Sequence, residues 1–387
     1  MDIYTFRNVL ILSCLFSLPS ISKSCSAVDK EALLDFKHRI TYDPSNLLST
    51  WTPSSDCCKS WKGVSCDSTG RVVNLSRSGL IDDFNDGPLD TLMSGTLSPF
   101  LGNLSSLQLL DLSNLKELKG HIPPEFGKLS RLKHLFLNTN KLTGSIPATF
   151  RSLSRLQKLY LNANSLSGIV PSDIFKSFTS VSELGLSGNK LIGPIPSTIG
   201  KLSLVRSLDF HDNYFSGSIP ETFGNLKYLQ YVDFSGNQIT GSIPNSIGGL
   251  SKLEFSGPID ENIGEEVSMA NVASLILSNN SLGGSIPKSL GKLSELQVLK
   301  LVNTGITGAI PEEIGNPKRL TTIILSNNKL NGTIPKNILN LEFLQEFDVS
   351  RNRLSGMIPQ HKAHIPVSAF LDNPGLCGAP LPPCKQS

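Results

Sequence analysis

Asp209, His211, Asp212 and Asp233 bring three carboxylates and an imidazole onto neighbouring stretches of the chain. Residues of these types can hold a divalent ion or share a proton in general acid–base catalysis. Either use needs a concavity tight enough to exclude water, and this spacing supplies none. Gly200-Lys201-Leu202 and Gly291-Lys292-Leu293 resemble part of a phosphate loop, but no Ser or Thr follows the lysine. The cysteines form no C-x-x-C pair and have no histidine pair nearby, so zinc is not expected. No G-x-S-x-G occurs, and His361 and His364 fall in a loop near the end. No catalytic residue, metal or cofactor is assigned, and the chain is not expected to be an enzyme.

The elements that carry these side chains follow a beat of 24 residues. The tetrads Gly144–Pro147, Gly193–Pro196, Gly217–Pro220, Gly308–Pro311 and Gly332–Pro335 mark it. Gly120, Gly144, Gly168, Gly193, Gly217 and Gly241 are 24 or 25 apart, and Gly284, Gly308, Gly332 and Gly356 resume at 24. A repeat of this length builds a solenoid, so function belongs to a long repeated face. In one unit Leu135 and Leu137 alternate with the period of a short strand, which turns His134, Phe136 and Asn138 outward. Asn140 follows at the turn, where its amide can satisfy buried backbone groups. The column recurs at Asn164, Asn189, Asn213, Asn237, Asn280, Asn328 and Asn352. Gly144 and Pro147 then set a bend and extended backbone on the far side. Stacking such units is expected to give one parallel sheet lining a concave side.

The ends carry other signals. Residues 1–24 read as a signal peptide, with Arg7, the apolar run Val9–Leu18, and small residues Ser22 and Ser24 before the cut. That run is too short to span a bilayer, and no later stretch reaches the roughly 20 apolar residues needed. Export into the extracellular space or cell wall is the expectation. A net charge of +3 without a basic run does not point to nucleic acid, and no nucleic-acid partner is expected. Cys14 leaves with the signal, and Cys25, Cys57, Cys58, Cys66, Cys377 and Cys384 remain at the two ends, as disulfides on caps. Their pairing is open among fifteen possibilities, with sequence separation favouring Cys377–Cys384. Residues 25–70 form the N-terminal cap, 71–359 the repeats and 360–387 the C-terminal cap. Asp29–Ile40 is expected to be a helix with Ala32, Leu33, Phe36 and Ile40 on one side, packed by Trp51 and Trp61.

The pattern LxxLxxLxLxxNxLxGxIP resembles the plant-type extracellular leucine-rich repeat. Cys57-Cys58 followed by Trp61–Cys66 is similar to that family's N-terminal cap, and the stretch from Asn373 to Cys384 resembles its C-terminal cap. The resemblance covers residues 25–384. It implies an α/β solenoid, a right-handed superhelix with a concave parallel sheet, and pairing of Cys25 with Cys57 and Cys58 with Cys66. Relatives of this kind include receptor-kinase ectodomains, receptor-like proteins, polygalacturonase inhibitors and the secreted "DNA-damage-repair/toleration" type. Similarity to the last rests partly on the acidic insertion Ile81–Met93 and gives no reason to infer DNA chemistry. Membrane receptors of this kind carry a helix after the cap. This chain stops three residues past Cys384, so a free secreted protein or a receptor ectodomain lacking its helix is expected. Polygalacturonase inhibitors usually have a shorter array and four cysteines in the C-terminal cap.

The outward strand positions segregate by chemistry. His134, Phe136, Lys158 and Tyr160 combine aromatic groups with positive charge, whereas Asp209, His211, Tyr231 and Asp233, with Arg206 and Asp212, are more acidic. Aromatic residues beside charges on a rigid sheet suit recognition of a protein or peptide, with a polygalacturonase or a receptor-kinase ectodomain among the candidates. A merely solvated face is the alternative. Asn74, Asn103, Asn279 and Asn331 open N-x-S/T sequons, and a glycan at Asn279 is expected on the concave side.

Between Gly241 and Gly284 the beat fails. Aligning Leu250–Gly257 with Leu226–Gly241 leaves the eight residues matching Tyr231–Gln238 without counterparts, so a strand and its turn are missing near residues 254–255. The whole interval of 43 is then five short of two units. A lost segment is favoured over a natural irregularity. The expected result is a divided inner face, with Leu107–Asn237 the intact part.

Overall fold

The computed structural model describes residues 23–83, 87–90, 92–251, 272–361 and 363–384. Nearly all of the expected signal peptide, and Leu253–Phe255, lie outside them. Each unit closes on its own leucines: Leu129, Leu132, Leu135, Leu137 and Leu142 are fully buried, joined by Phe150 from the outer side. Burying a side chain of this kind contributes roughly 1.5–3 kcal/mol, and the stacked units share one continuous core. On the outer side the chain runs through short 3-10 turns, such as Ala148–Ser152, each following the proline of its tetrad.

The inner sheet has twelve strands among the described residues, from Val64–Cys66 to Glu346–Asp348. Only the first pair is antiparallel, and the rest stack in parallel with one repeat per strand. The asparagine column behaves as expected. Asn140 donates through Nδ2 to the carbonyls of Leu112 (2.9 Å) and Leu137 (3.0 Å). The next rung, Asn164, accepts through Oδ1 from the Leu142 amide (3.0 Å). Asn373 continues this ladder into the C-terminal cap, a rung not anticipated from the repeats.

Two expectations need correction. The far side is not only bent and extended backbone. It forms a second sheet of eight strands, beginning at Ile40–Tyr42 and Met93–Thr96 and ending at Gln238–Ile239. Two isolated bridges and a four-stranded sheet continue it toward the C-terminal cap. The glycine of the beat permits this. Gly144 has φ +77°, and a Cβ there would stand 2.1 Å from the His121 ring of the preceding unit. The bare α-carbon thus seats the side chain of the neighbouring repeat.

The second correction concerns the broken beat. Tyr231–Asp233 pairs directly with Ser274–Ile276, in register Tyr231↔Ser274, Val232↔Leu275 and Asp233↔Ile276. The amide ladder crosses with it: Asn280 Nδ2 donates to the Phe234 carbonyl (2.8 Å), and the Ile239 amide donates to Asn280 Oδ1 (3.0 Å). The 3-10 turn Asn245–Ser251 likewise stacks on Lys288–Lys292. No strand stands between them among the described residues, and positions 254–255, where the sequence places the loss, lie outside those residues. Gly241 and Gly284 are one unit apart in space, and that unit carries nineteen extra residues between Ser251 and Val272. The inner sheet is therefore undivided among the described residues.

At the N-terminal end the helix spans Ala27–His38 and stops before Ile40, which leaves to pair with Gly95 in the second sheet. Trp51 stacks on Trp61 with centroids 5.2 Å apart, under Phe36, so both tryptophans pack the cap. Buried Asp29 accepts from Arg71 (2.8 and 2.9 Å) and the Val72 amide (2.8 Å), tying the helix to the first repeat. The acidic insertion contains an antiparallel hairpin, Leu80–Asp83 with Gly87–Asp90. Disulfides join Cys25 to Cys57, Cys58 to Cys66 and Cys377 to Cys384.

Candidate ligand-binding face

Because strands repeat in register, the outward residues of the inner sheet form columns. The middle column runs Asp111, Phe136, Tyr160, Gly185, Asp209, Asp233, Ile276 and Lys300. The expected residues are thus brought together in two adjoining groups. In the first, His134 stacks on Phe136 (centroids 5.9 Å) and Phe136 on Tyr160 (5.2 Å), a run of three rings. Lys158 pairs with Glu183 on the next strand (2.7 Å), and the Tyr160 hydroxyl donates to the same carboxylate. Burial opposes the charge of Glu183, but the bonds from Lys158 and Tyr160 outweigh it and hold the carboxyl below its ordinary range. Burial first, then the Glu183 bond, push the Tyr160 phenol above its usual value.

In the second group the Asp209 carboxylate meets His211 Nδ1 (2.6 Å) through Oδ1. Its Oδ2 accepts from Ser187 (2.9 Å) and Asn162 (3.1 Å). Asp233 accepts from the Ser235 amide (2.9 Å) and hydroxyl (2.6 Å), and from the Tyr231 hydroxyl (3.3 Å). Burial and the nearby Asp233 raise the Tyr231 phenol above its usual value. His211 lies 4.0 Å from both Asp212 and Asp233. This is a hydrogen-bonded row along a surface. Among the described residues only Cys25, Cys57 and Cys58 converge closely enough for a shared metal ion, and all three are in disulfides.

Gly185 joins the two groups and was not singled out from the sequence, where a lone glycine off the beat carries no signal. Asn162 reaches across it to Ser187 (2.5 Å) and Asp209, and a Cβ at Gly185 would stand 2.2 Å from Asn162 Oδ1. A recess of about 1350 Å3 lies elsewhere, between the last repeat and the C-terminal cap. His361 there is engaged by its own Pro359 carbonyl and stands against Phe370, so it belongs to the cap.

All four sequon asparagines are exposed. Asn74 lies on the inner sheet, Asn103 on the outer side and Asn331 in the four-stranded sheet that leads to the C-terminal cap. Asn279 follows the end of its strand, at the repeat position that Asp212 takes two units earlier on the inner side. Its Oδ1 accepts from Asn303 (3.3 Å), whose own Oδ1 accepts from Asn327 (3.1 Å).

Comparison with known proteins agrees with this architecture. The family described as "Leucine rich repeat N-terminal domain" matches residues 26–67. Those described as "Leucine rich repeat" match 105–166 and 130–191, and 204–226, 228–250, 271–293 and 319–341. Together these take in more than half of the chain, which belongs to the leucine-rich-repeat proteins. DNA damage-repair/toleration protein DRT100 of Arabidopsis thaliana is 36% identical over 34% of this chain and 36% of its own length. A polygalacturonase inhibitor of Vitis vinifera is 33% identical over 34% and 35%. The chain thus spans little more than a third of these curated relatives.

Three solved structures are similar over most of the chain. The ectodomain of the Arabidopsis thaliana receptor kinase GASSHO1/SCHENGEN3, solved with CASPARIAN STRIP INTEGRITY FACTOR 2, has a TM-score of 0.75 at 33% identity. It covers 86% of this chain and 36% of that one. The Arabidopsis HAESA ectodomain, solved with an IDA peptide hormone ligand, has a TM-score of 0.68 at 31% identity, over 86% and 50%. A plant ice-binding protein has a TM-score of 0.69 at 29% identity, over 94% and 99%. No helix among the described residues is long and apolar enough to cross a membrane. The three disulfides fit an oxidising, extracellular setting.

Proposed function

We propose that this protein is an extracellular recognition protein of the plant cell wall space, which binds a peptide or protein on its inner face without chemical turnover. The observation that carries the reading is the ring stack His134–Phe136–Tyr160 standing beside the Lys158–Glu183 pair and the Asp209–Asp233 row, on one continuous sheet. Stacked rings lose little entropy on contact and give area, while the charges give orientation and specificity. The solved HAESA complex with a peptide hormone supports the same use of the fold. Capture of a partner from plant wall extract tests it. The wild-type chain is expected to retain a partner that the Phe136→Ala/Tyr160→Ala variant loses; equal capture by both would sink the reading. An inhibition assay against a fungal polygalacturonase, run in parallel, tests whether the partner is that enzyme.

A second reading is favoured by one surface. Ser216 in the second sheet, Thr240, Ser285 and Thr307 in the bridges that continue it, and Ser218 and Ser242 beside them present small hydroxyl side chains, exposed or half-buried. Such an uncharged stretch suits contact with ordered water, and the end-to-end similarity to a plant ice-binding protein supports it. An ice-recrystallisation assay in which the protein performs no better than albumin would remove this reading.

A further inference from the structure

We infer that the ligand of the inner face is a basic peptide, with a lysine or arginine seated at Asp209, Asp212 and Asp233 and an apolar or aromatic residue seated on Phe136 and Tyr160. This rests on the reading of the inner face as a recognition surface and adds the chemistry of what is recognised.

The argument is one of charge and spacing. In the aromatic half, Lys158 and Glu183 neutralise each other at 2.7 Å, so the rings present apolar area with little net field. In the other half three carboxylates face a single imidazole. Asp212 is 72% exposed in its side chain, Asp209 25% and Asp233 12%. Hydrogen bonds from Ser187, Asn162 and Ser235 hold Asp209 and Asp233 in place without cancelling their charge. Fixed carboxylates on a partly desolvated surface are a seat for a cation, and they repel an acidic ligand. On the far side Ile276 follows in the column, so the row ends on an apolar residue.

Spacing fixes the order of the ligand. Tyr160 pairs with Gly185 and Gly185 with Asp209, so ring and carboxylate stand two strands apart, about 9.6 Å. An extended chain advances about 3.3 Å per residue, which places the basic residue two or three positions from the apolar one. Gly185 keeps the surface low between them. An acidic wall saccharide could stack on the same rings, but it would carry its charge into the carboxylate row. The observations favour the basic peptide.

The test is selection of a displayed library of random decapeptides on the mature disulfide-bonded chain, repeated on Asp209→Asn and Asp212→Asn variants. The wild type is expected to enrich peptides with Lys or Arg two or three positions from an aromatic or large aliphatic residue. Synthetic peptides of the enriched sequence are expected to lose about tenfold in affinity against either variant, the size of one charge-assisted bond. Asp212 is exposed, so its substitution leaves the fold intact and keeps the test sound should Asp209→Asn perturb packing. Enriched peptides without a basic residue, or with unchanged affinity for both variants, would overturn the inference while leaving peptide recognition standing. No enrichment at all would overturn both. Calorimetric binding of a short oligogalacturonate, lost in Phe136→Ala/Tyr160→Ala, would replace the peptide by an acidic saccharide.

Discussion

Gly185 is the residue on which the two halves of the inner face depend, and a single methyl group tests that. Its backbone is ordinary, so the demand is steric: a Cβ would meet Asn162 Oδ1 at 2.2 Å and lift that amide from Ser187 and Asp209. Gly185→Ala is expected to cost about 1–3 kcal/mol in urea unfolding, from strain plus unpaired polar groups. A loss below a few tenths would mean that Asn162 has other places to go. Glu183 gives a prediction in pH. Its carboxyl is held below the ordinary value, so its stabilisation is present above the unfolded carboxylate range and is lost as pH falls through the lowered folded value. Lys158→Ala should move the Glu183 carboxyl resonance to titrate at higher pH, and an unchanged titration would show that Lys158 is not its support. The proximity of these residues was legible in the sequence, since a period of 24 or 25 sets the register of Phe136 on Tyr160. The role of Gly185 was not, because an absence of side chain gains meaning only from the neighbour that crosses it.

At the scale of the element, the asparagine ladder explains why the repeats tolerate so much variety elsewhere. Each rung satisfies carbonyls of its own turn and of the turn before, which no backbone partner reaches. Asn280 has the further task of joining the units on either side of the long connection, through Phe234 and Ile239. Asn280→Ala is expected to cost about 2–4 kcal/mol, with faster hydrogen exchange at Ile239 and Leu277. Exchange unchanged at those amides would show that strand pairing alone carries the junction. Here each asparagine was legible in the sequence, whereas the expected division of the sheet between Asn237 and Asn280 is not found. Aligning Leu250–Gly257 with Leu226–Gly241 leaves a unit without its strand, which suggests a break in the sheet. Pairing closes that break: Val272 and Leu275 are buried, and Leu275 stands in register with Val232. The second sheet was missed for a related reason: a glycine reads as a bend until the side chain that covers it is known.

For the whole molecule, stability is a sum over neighbours sealed by two disulfide caps, so a local change need not spread. The long connection, residues 252–271, is therefore expected to be dispensable to the fold. Excising nineteen residues, so that one remains between Ser251 and Val272, restores the 24-residue unit. The shortened protein is expected to melt as one transition within a few degrees of the parent, and separate transitions for the two halves would overturn this. Loss of partner capture with an unchanged melt would instead assign the connection to binding.

That connection has a meaning beyond stability. A periodic array can be disturbed by an error of phase, which shifts every later unit, or by an excursion that returns to the same phase. The nineteen residues are of the second kind: Asp233 still faces Ile276, and Asn280 still answers Ile239. The chain can lengthen or shorten at that point without moving any other position on the inner face. Variation at one site and conservation of the reading frame of the surface are thereby made independent, which lets a repeat protein acquire a new part without surrendering an old contact.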